Sequence, residues 1–157
     1  MLDKFDTSDT VIDPSLLARF AAIVGDKYAI TDPAAQIPYV VEMRDLFHGR
    51  TPLVLRPGSV EEVVDILKLA DATKTPIIPQ GGNTGLSGGQ TPLHNEIVLS
   101  LTRLDRIRDI DPTSNTITCE AGVTLQRARD LDDPLACHLS PIQRISSYAV
   151  PDRKSVV

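Results

Sequence analysis

Tryptophan is absent from this 157-residue chain, and phenylalanine and tyrosine number three each. So few rings leave little surface for stacking bases, and a net charge of −5 provides no basic footprint for a polynucleotide. Nucleic acid is therefore not an expected partner. The two cysteines, Cys119 and Cys137, have neither CxxC spacing nor histidines at zinc-ligand distances, so no metal site is expected and a reducing compartment fits. No apolar run approaches the roughly 20 residues needed to span a bilayer. The start, Met1-Leu2-Asp3-Lys4-Phe5-Asp6, is acidic where a secretory signal needs an apolar stretch. A cytoplasmic protein without a transmembrane segment is the expectation. What the chain does have is 41% hydrophobic residues, enough for one domain with a buried core.

A further absence is local: no Lys or Arg lies between Lys74 and Arg103. Inside that gap runs Pro79-Gln80-Gly81-Gly82-Asn83-Thr84-Gly85-Leu86-Ser87-Gly88-Gly89-Gln90, with five of the nine glycines. Glycine admits positive φ and has no Cβ, so such a loop can turn its amides toward one anion, and Asn83, Thr84 and Ser87 add short polar groups. Without a local cation, a bound phosphate would be held by backbone and hydroxyl dipoles. This argues against the nucleotide-hydrolysing P-loop, which needs Gly-Lys-Ser/Thr at the loop's end. The dinucleotide fingerprint G-x-G-x-x-G fits poorly too, because no helical pattern follows. Pro76-Ile77-Ile78 precedes the loop and Ile97-Val98-Leu99 follows it, so it connects strand to strand. An ordinary long glycine-rich surface loop has the same local composition, although loops this long inside domains are usually functional or disordered.

Upstream, Asp13-Pro14-Ser15 opens a helix of about three turns whose apolar face is Leu16, Leu17, Phe20, Ile23 and Val24, ending at Gly25. Thr31-Asp32-Pro33 and Ile37-Pro38 break the pattern, and the segment to Gly49 reads as loop with a short helical turn. Leu53-Val54-Leu55 reads as a buried strand stopped by Arg56-Pro57-Gly58. Ser59 and Glu62 form a capping box for a helix carrying Val63, Ile66, Leu67 and Ala70. With Ile77-Ile78 this makes a βαβ-like unit. Further strands are expected at 97–101, 107–110 and 116–120, the last two joined as a hairpin through Pro112-Thr113-Ser114-Asn115. Thr124 reads as the cap of a helix carrying Leu125 and Ala128. His48 and His94 read as exposed loop histidines. Asp105, Arg106, Arg108 and Asp109 read as a solvated face.

Taken in order, Leu53-Val54-Leu55-Arg56-Pro57, Ser59-Val60-Glu61-Glu62-Val63, the run from Pro76 through Gly89, Leu99-Ser100-Leu101 and Glu120-Ala121-Gly122-Val123-Thr124-Leu125 resemble the PCMH-type FAD-binding domain of FAD-linked oxidases. They are most similar to the branch of D-lactate, glycolate and D-2-hydroxyglutarate dehydrogenases. The resemblance covers about residues 37 to 130. It implies an α+β fold: the N-terminal portion of such a domain, a βαβ unit followed by β-strands, incomplete on its C-terminal side. It implies three stretches: an N-terminal helical segment at 1–36, a partial FAD-binding domain at 37–130, and a divergent tail at 131–157. It also implies that Gly81, Gly82, Asn83, Thr84, Gly85 and Leu86 wrap the FAD pyrophosphate. Relatives with histidyl-linked FAD carry a His in this loop, where Asn83-Thr84 stands here, so the resemblance implies non-covalent FAD. Arg56 and Pro57 resemble positions on the adenosine side, strand termination being their simpler role. Gly122 and Val123 resemble the segment approaching the flavin from the far side.

The family's catalytic histidines and substrate-binding arginines belong to a later domain, so no catalytic residue is assigned here, and His138 falls past the resemblance. The tail departs from the family at Leu131-Asp132-Asp133-Pro134, where proline ends the helix early. The closing Asp152-Arg153-Lys154-Ser155-Val156-Val157 is what GATCGGAAGAGCGTCGTG, a common sequencing-adapter stretch, would encode, so residues from about 131 onward are expected to be partly out of frame, a genuine short protein with a divergent tail being the alternative. The implied function is FAD binding within an enzyme oxidising a small D-2-hydroxyacid to the 2-oxoacid with an unidentified electron acceptor, the 157 residues alone being inactive. A non-catalytic nucleotide- or phosphate-binding module and an FAD-linked oxidase of another alcohol are the alternatives.

Overall fold

A computed structural model describes residues 11–111, 113–114 and 116–129. The tail at 131–157 lies outside these, as do Pro112 and Asn115 of the expected hairpin turn. Helix α1 is Pro14–Val24, as the cap signals predict: Asp13 Oδ1 accepts from Ser15 N at 2.7 Å, and Gly25 at φ 77° closes it. A 3₁₀ turn, Asp26–Tyr28, leads into the short strand β1, Ala29–Ile30. The short helical turn expected in the segment to Gly49 is a full eight-residue helix, α2, at Pro33–Val40. Asp32 does not break the chain but caps this helix through Ala34 N at 3.2 Å, and Pro33 occupies its first position, where proline loses no hydrogen bond.

Strand β2 (Val54–Leu55) is followed by helix α3 (Val60–Thr73), strand β3 (Ile77–Gln80) and strand β4 (Ile97–Ser100). The sheet order is β1-β2-β4-β3, with β2, β4 and β3 parallel and β1 antiparallel on the edge. The strand-helix-strand unit therefore leaves a gap between β2 and β3, which β4 fills. Because β3 is an edge strand, it tolerates Pro79, paired opposite Leu99, although proline cannot donate to a ladder.

Alternation along β2 and β4 sends Leu53, Leu55, Ile97 and Leu99 into one cluster with Phe20 and Val24 of α1 and Ile66 and Ala70 of α3. Val54 and Val98, on the opposite face, are also fully buried, as central parallel strands require. Of the apolar face expected on α3, Leu67 departs: it is about half exposed. A second sheet is the expected hairpin, β5 (Ile107–Asp111) antiparallel to β6 (Thr116–Cys119), with Asp111 Oδ1 accepting from Thr113 N at 2.8 Å at its turn. Helix α4 (Leu125–Arg129) closes the described chain, with Thr124 Oγ1 accepting from Arg127 N at 3.1 Å.

Candidate functional site

Parallel pairing puts the C-terminal ends of β2, β3 and β4 on one edge of the sheet, where open α/β sheets bind ligands. Arg56-Pro57 leaves β2 there, the glycine loop leaves β3, and Leu101-Thr102 leaves β4. Leu101 N donates to Gln80 O at 2.9 Å, so the start of the loop and the exit from β4 are joined. Gly81, Gly82, Asn83 and Thr84 are half-buried against this edge, whereas Gly85 and Leu86 are exposed.

The loop does not use its glycines alike. Positive φ falls at Gly88 (75°) and at Asn83 (55°), not at the paired Gly81-Gly82. Asparagine tolerates this region better than other non-glycine residues. A Cβ on Gly88 would stand 3.0 Å from the Phe47 ring, and one on Gly85 would run into the Gln90 amide, whose Nε2 donates to Gly85 O at 2.8 Å. A Cβ on Gly89 would meet nothing within 4 Å, leaving that backbone open to approach.

Gln80, missed as a site residue by the sequence reading, is 2% exposed. Its Nε2 donates to Tyr39 O at 2.8 Å and Gln90 O at 3.1 Å, tying the two ends of the loop to α2. Asn83 Nδ2 donates to Pro38 O at 3.0 Å and Val41 O at 2.8 Å. A polar residue ending an otherwise apolar strand was the available signal for Gln80; its partners, 41 and 10 residues away, were not in reach of any local pattern.

The expectation that no cation serves the loop holds only along the chain. Arg44, 42 residues upstream, donates its guanidinium to Leu86 O, and it is held in place by the buried carboxylate of Glu42. Glu42 Oε2 accepts from Arg44 N at 2.9 Å and Oε1 from Leu46 N at 2.8 Å. The Arg44 amide, chiefly, with the Leu46 amide and the guanidinium, holds this carboxyl below the usual carboxylate range despite its burial.

On the same edge, Gly122 sits under the turn after β4: its N donates to Leu104 O at 2.7 Å, and a Cβ would collide with Leu101 O and Leu104 O. Beside it lies a cavity of about 220 Å³ lined by Thr102, Asp105, Gly122, Thr124 and Arg127, while Val123 is fully buried. Of the charges read as a solvated face, Asp105, Arg106 and Arg108 are half or more exposed and also form ion pairs. Arg106 Nε and Arg108 Nη2 each reach Glu120 Oε1 at 3.2 Å, Arg106 N reaches Glu120 Oε2 at 3.1 Å, and Asp105 pairs with Arg127. Glu120 is 6% exposed, and the Arg106 amide with both guanidiniums holds its carboxyl low. His48 is exposed beside Asp45, whereas His94, in the loop before β4, is half-buried.

This donor set suits a ligand carrying both phosphates and hydroxyls. Gln80 Oε1, Asn83 Oδ1 and Thr91 Oγ1 are buried acceptors without a partner among the described residues, and Arg56 Nε is a buried donor without one. No helix among the described residues is long and apolar enough to cross a membrane.

The family model for an FAD binding domain matches residues 51–131. A D-2-hydroxyglutarate dehydrogenase of Xanthomonas citri pv. viticola is 44% identical over 73% of this chain and 24% of its own length. A D-2-hydroxyglutarate–pyruvate transhydrogenase of Saccharomyces cerevisiae is 35% identical over 75% of this chain and 24% of its own. The chain thus spans about a quarter of the length of the curated relatives it matches. Among solved structures, an alkyldihydroxyacetonephosphate synthase aligns with a TM-score of 0.66 at 20% identity, over 80% of this chain and 25% of that one. p-Cresol methylhydroxylase aligns with a TM-score of 0.63 at 19% identity, over 78% and 25%. A strand-bounded glycine loop on the C-terminal edge of a parallel sheet, with the same fold and a family match across β2 through α4, leads to one conclusion: this chain belongs to the FAD binding domain family.

Proposed function

We propose that these residues form the pyrophosphate-binding part of a flavin-dependent oxidoreductase acting on a D-2-hydroxyacid. The observation that carries the reading is the loop after β3, where an edge-strand exit, open backbone at Gly89, and unspent polar atoms at Gln80 and Asn83 meet. Gly81, Gly82, Asn83, Thr84, Gly85 and Leu86 would hold the FAD pyrophosphate and its neighbouring hydroxyls. Arg56 and Pro57 would border one end, and Gly122 and Val123 the other. No histidine stands in this loop, which supports a non-covalent flavin. Bound FAD supplies a two-electron acceptor, so a 2-hydroxyacid losing hydride from its α-carbon and a proton from its hydroxyl leaves as the 2-oxoacid. The described residues contribute position: Gln80 and Asn83 hold the loop to α2, and Gly122 lets the segment before α4 tuck against the edge. Identities of 30 to 44% to curated relatives named for D-2-hydroxyglutarate or D-lactate favour the hydroxyacid class.

Binding of FAD by the 157-residue chain, followed by quenching of flavin fluorescence, tests this directly. Weak binding is expected, competed by ADP and not by riboflavin, with Asn83→Ala weakening it about tenfold. Equal affinity for riboflavin and FAD, or indifference to Asn83→Ala, contradicts a pyrophosphate site in this loop. Dye reduction driven by a D-2-hydroxyacid is expected to be absent from this stretch alone; observing it would overturn the division of labour proposed here.

A further inference from the structure

The glycine loop takes its shape from another part of the chain. Three successive points along it are held by one segment, Gln80 by Tyr39 O, Asn83 by Pro38 O and Val41 O, and Leu86 O by Arg44, and the Phe47 ring lies beside Gly88. That segment is itself closed by one side chain. Glu42 accepts from the amides of Arg44 and Leu46, while its own N donates to Phe47 O at 3.3 Å and its O accepts from Asp45 N at 2.9 Å. The return leg is stitched by Gly49 N to Val40 O at 2.7 Å and a bridge between Val41 and His48.

This turn is not part of the main hydrophobic cluster, which is built from α1, β2, α3 and β4. A 2%-exposed carboxylate filled on both oxygens by local amides does little for that core and much for the path of the turn. The reason to fix that path lies in the loop. Glycine-rich backbone loses more freedom on ordering than any other, and a ligand that must order its own loop binds more weakly by that amount.

We propose that residues 38–48 are a brace that pre-sets the glycine loop, with Glu42 and Arg44 as its positioning residues: Glu42 closes the turn, and Arg44 fixes the loop at Leu86. The significance of the brace for cofactor affinity rests on the reading of that loop as the FAD site. Neither residue touches the cofactor in this scheme, and both act through the loop backbone.

Hydrogen exchange of the full 157-residue chain, read over residues 81–91 and over 97–101, separates the brace from general stability. In Glu42→Gln and Arg44→Ala, exchange over 81–91 is expected to quicken about tenfold or more while β4 is unchanged. Arg44→Lys, which keeps a single donor for Leu86 O, is expected to recover part of the protection. FAD titration of the same proteins is expected to show affinity falling in step with loop protection. Unchanged loop exchange in both variants overturns the proposal, and so does equal acceleration in β4, which would mark a global loss. Lower FAD affinity in Arg44→Ala without faster loop exchange also overturns it, since Arg44 would then touch the cofactor itself. If the wild type binds no FAD while the variants still loosen the loop, the brace stands and the FAD reading falls.

Discussion

At the scale of single residues, the glycines carry different burdens that the sequence presents as one cluster. Gly122 is fixed by sterics alone: a Cβ there collides with Leu101 O and stands 2.7 Å from Leu104 O, both backbone atoms with little room to yield. Gly88 combines φ 75° with a ring that can shift. Gly89 has neither constraint. Gly122→Ala is therefore expected to destabilise the fold by about 1–3 kcal/mol, the usual range for forced overpacking. Gly89→Ala is expected to stay within about 0.5 kcal/mol of wild type. Urea unfolding of the two variants checks the contrast, and equal costs would refute it. Asn83 teaches the same lesson from the other side, because the left-handed turn of the loop falls on it and not on the adjacent glycine pair.

Among the elements, α3 shows how a sequence signal can be right in outline and shifted in detail. Ser59 Oγ accepts from Glu62 N at 3.2 Å as a capping box demands, but Glu62 Oε2 returns to Gly58 N at 2.7 Å, one residue before the expected partner. The helix still gains both ends of the exchange. Ser59→Ala is expected to cost about 1 kcal/mol, measured as a shift in the chemical unfolding midpoint; no shift would mean that Glu62 alone satisfies the first turn. Helix α2 is longer than the short helical turn its sequence suggests, because its two prolines look like breakers. Pro33 is at a first-turn position, and Pro38 lies near the end of an eight-residue helix, where the cap at Asp32 and the ties from Gln80 and Asn83 compensate. Gln36, on this helix, donates to Ile30 O at 2.9 Å and so joins α2 to β1.

Across the whole molecule, acid sensitivity follows from its carboxylates. Asp13, Glu42, Glu61, Asp111 and Glu120 all have folded pKa values held below their ordinary ones, chiefly by hydrogen bonds: from Ser15 at Asp13, from the Arg44 amide at Glu42, and from the Arg106 amide at Glu120. A lowered folded pKa means that the unfolded chain binds protons first. The stability these groups contribute is present above their unfolded values of about 4. It is lost as pH falls through the lower folded values. The melting temperature is therefore expected to be flat near neutrality and to fall below about pH 4.5. Glu120→Gln should make that fall shallower, and a profile that rises on acidification would contradict the assignment. The N-terminal helix belongs to the same packing unit, since Phe20 and Val24 share one cluster with β2, α3 and β4.

The local sequence by itself determined the helices α1 and α3, the strand-loop-strand frame of the glycine run, the β5–β6 hairpin and the family. The elements depend on caps, periodicities and turn residues that act within a few positions of one another, whereas the family rests on the resemblance of motifs taken in order along the chain. Only the tertiary structure decided that β4 inserts between β2 and β3, that Arg44 reaches Leu86, that Gln80 and Asn83 anchor to α2, and that Arg106 and Arg108 converge on Glu120. The physical reason is common to all four. Burial of the sheet's apolar faces dictates which distant segments meet, and hydrogen bonds between segments more than ten residues apart leave no periodic trace in either one.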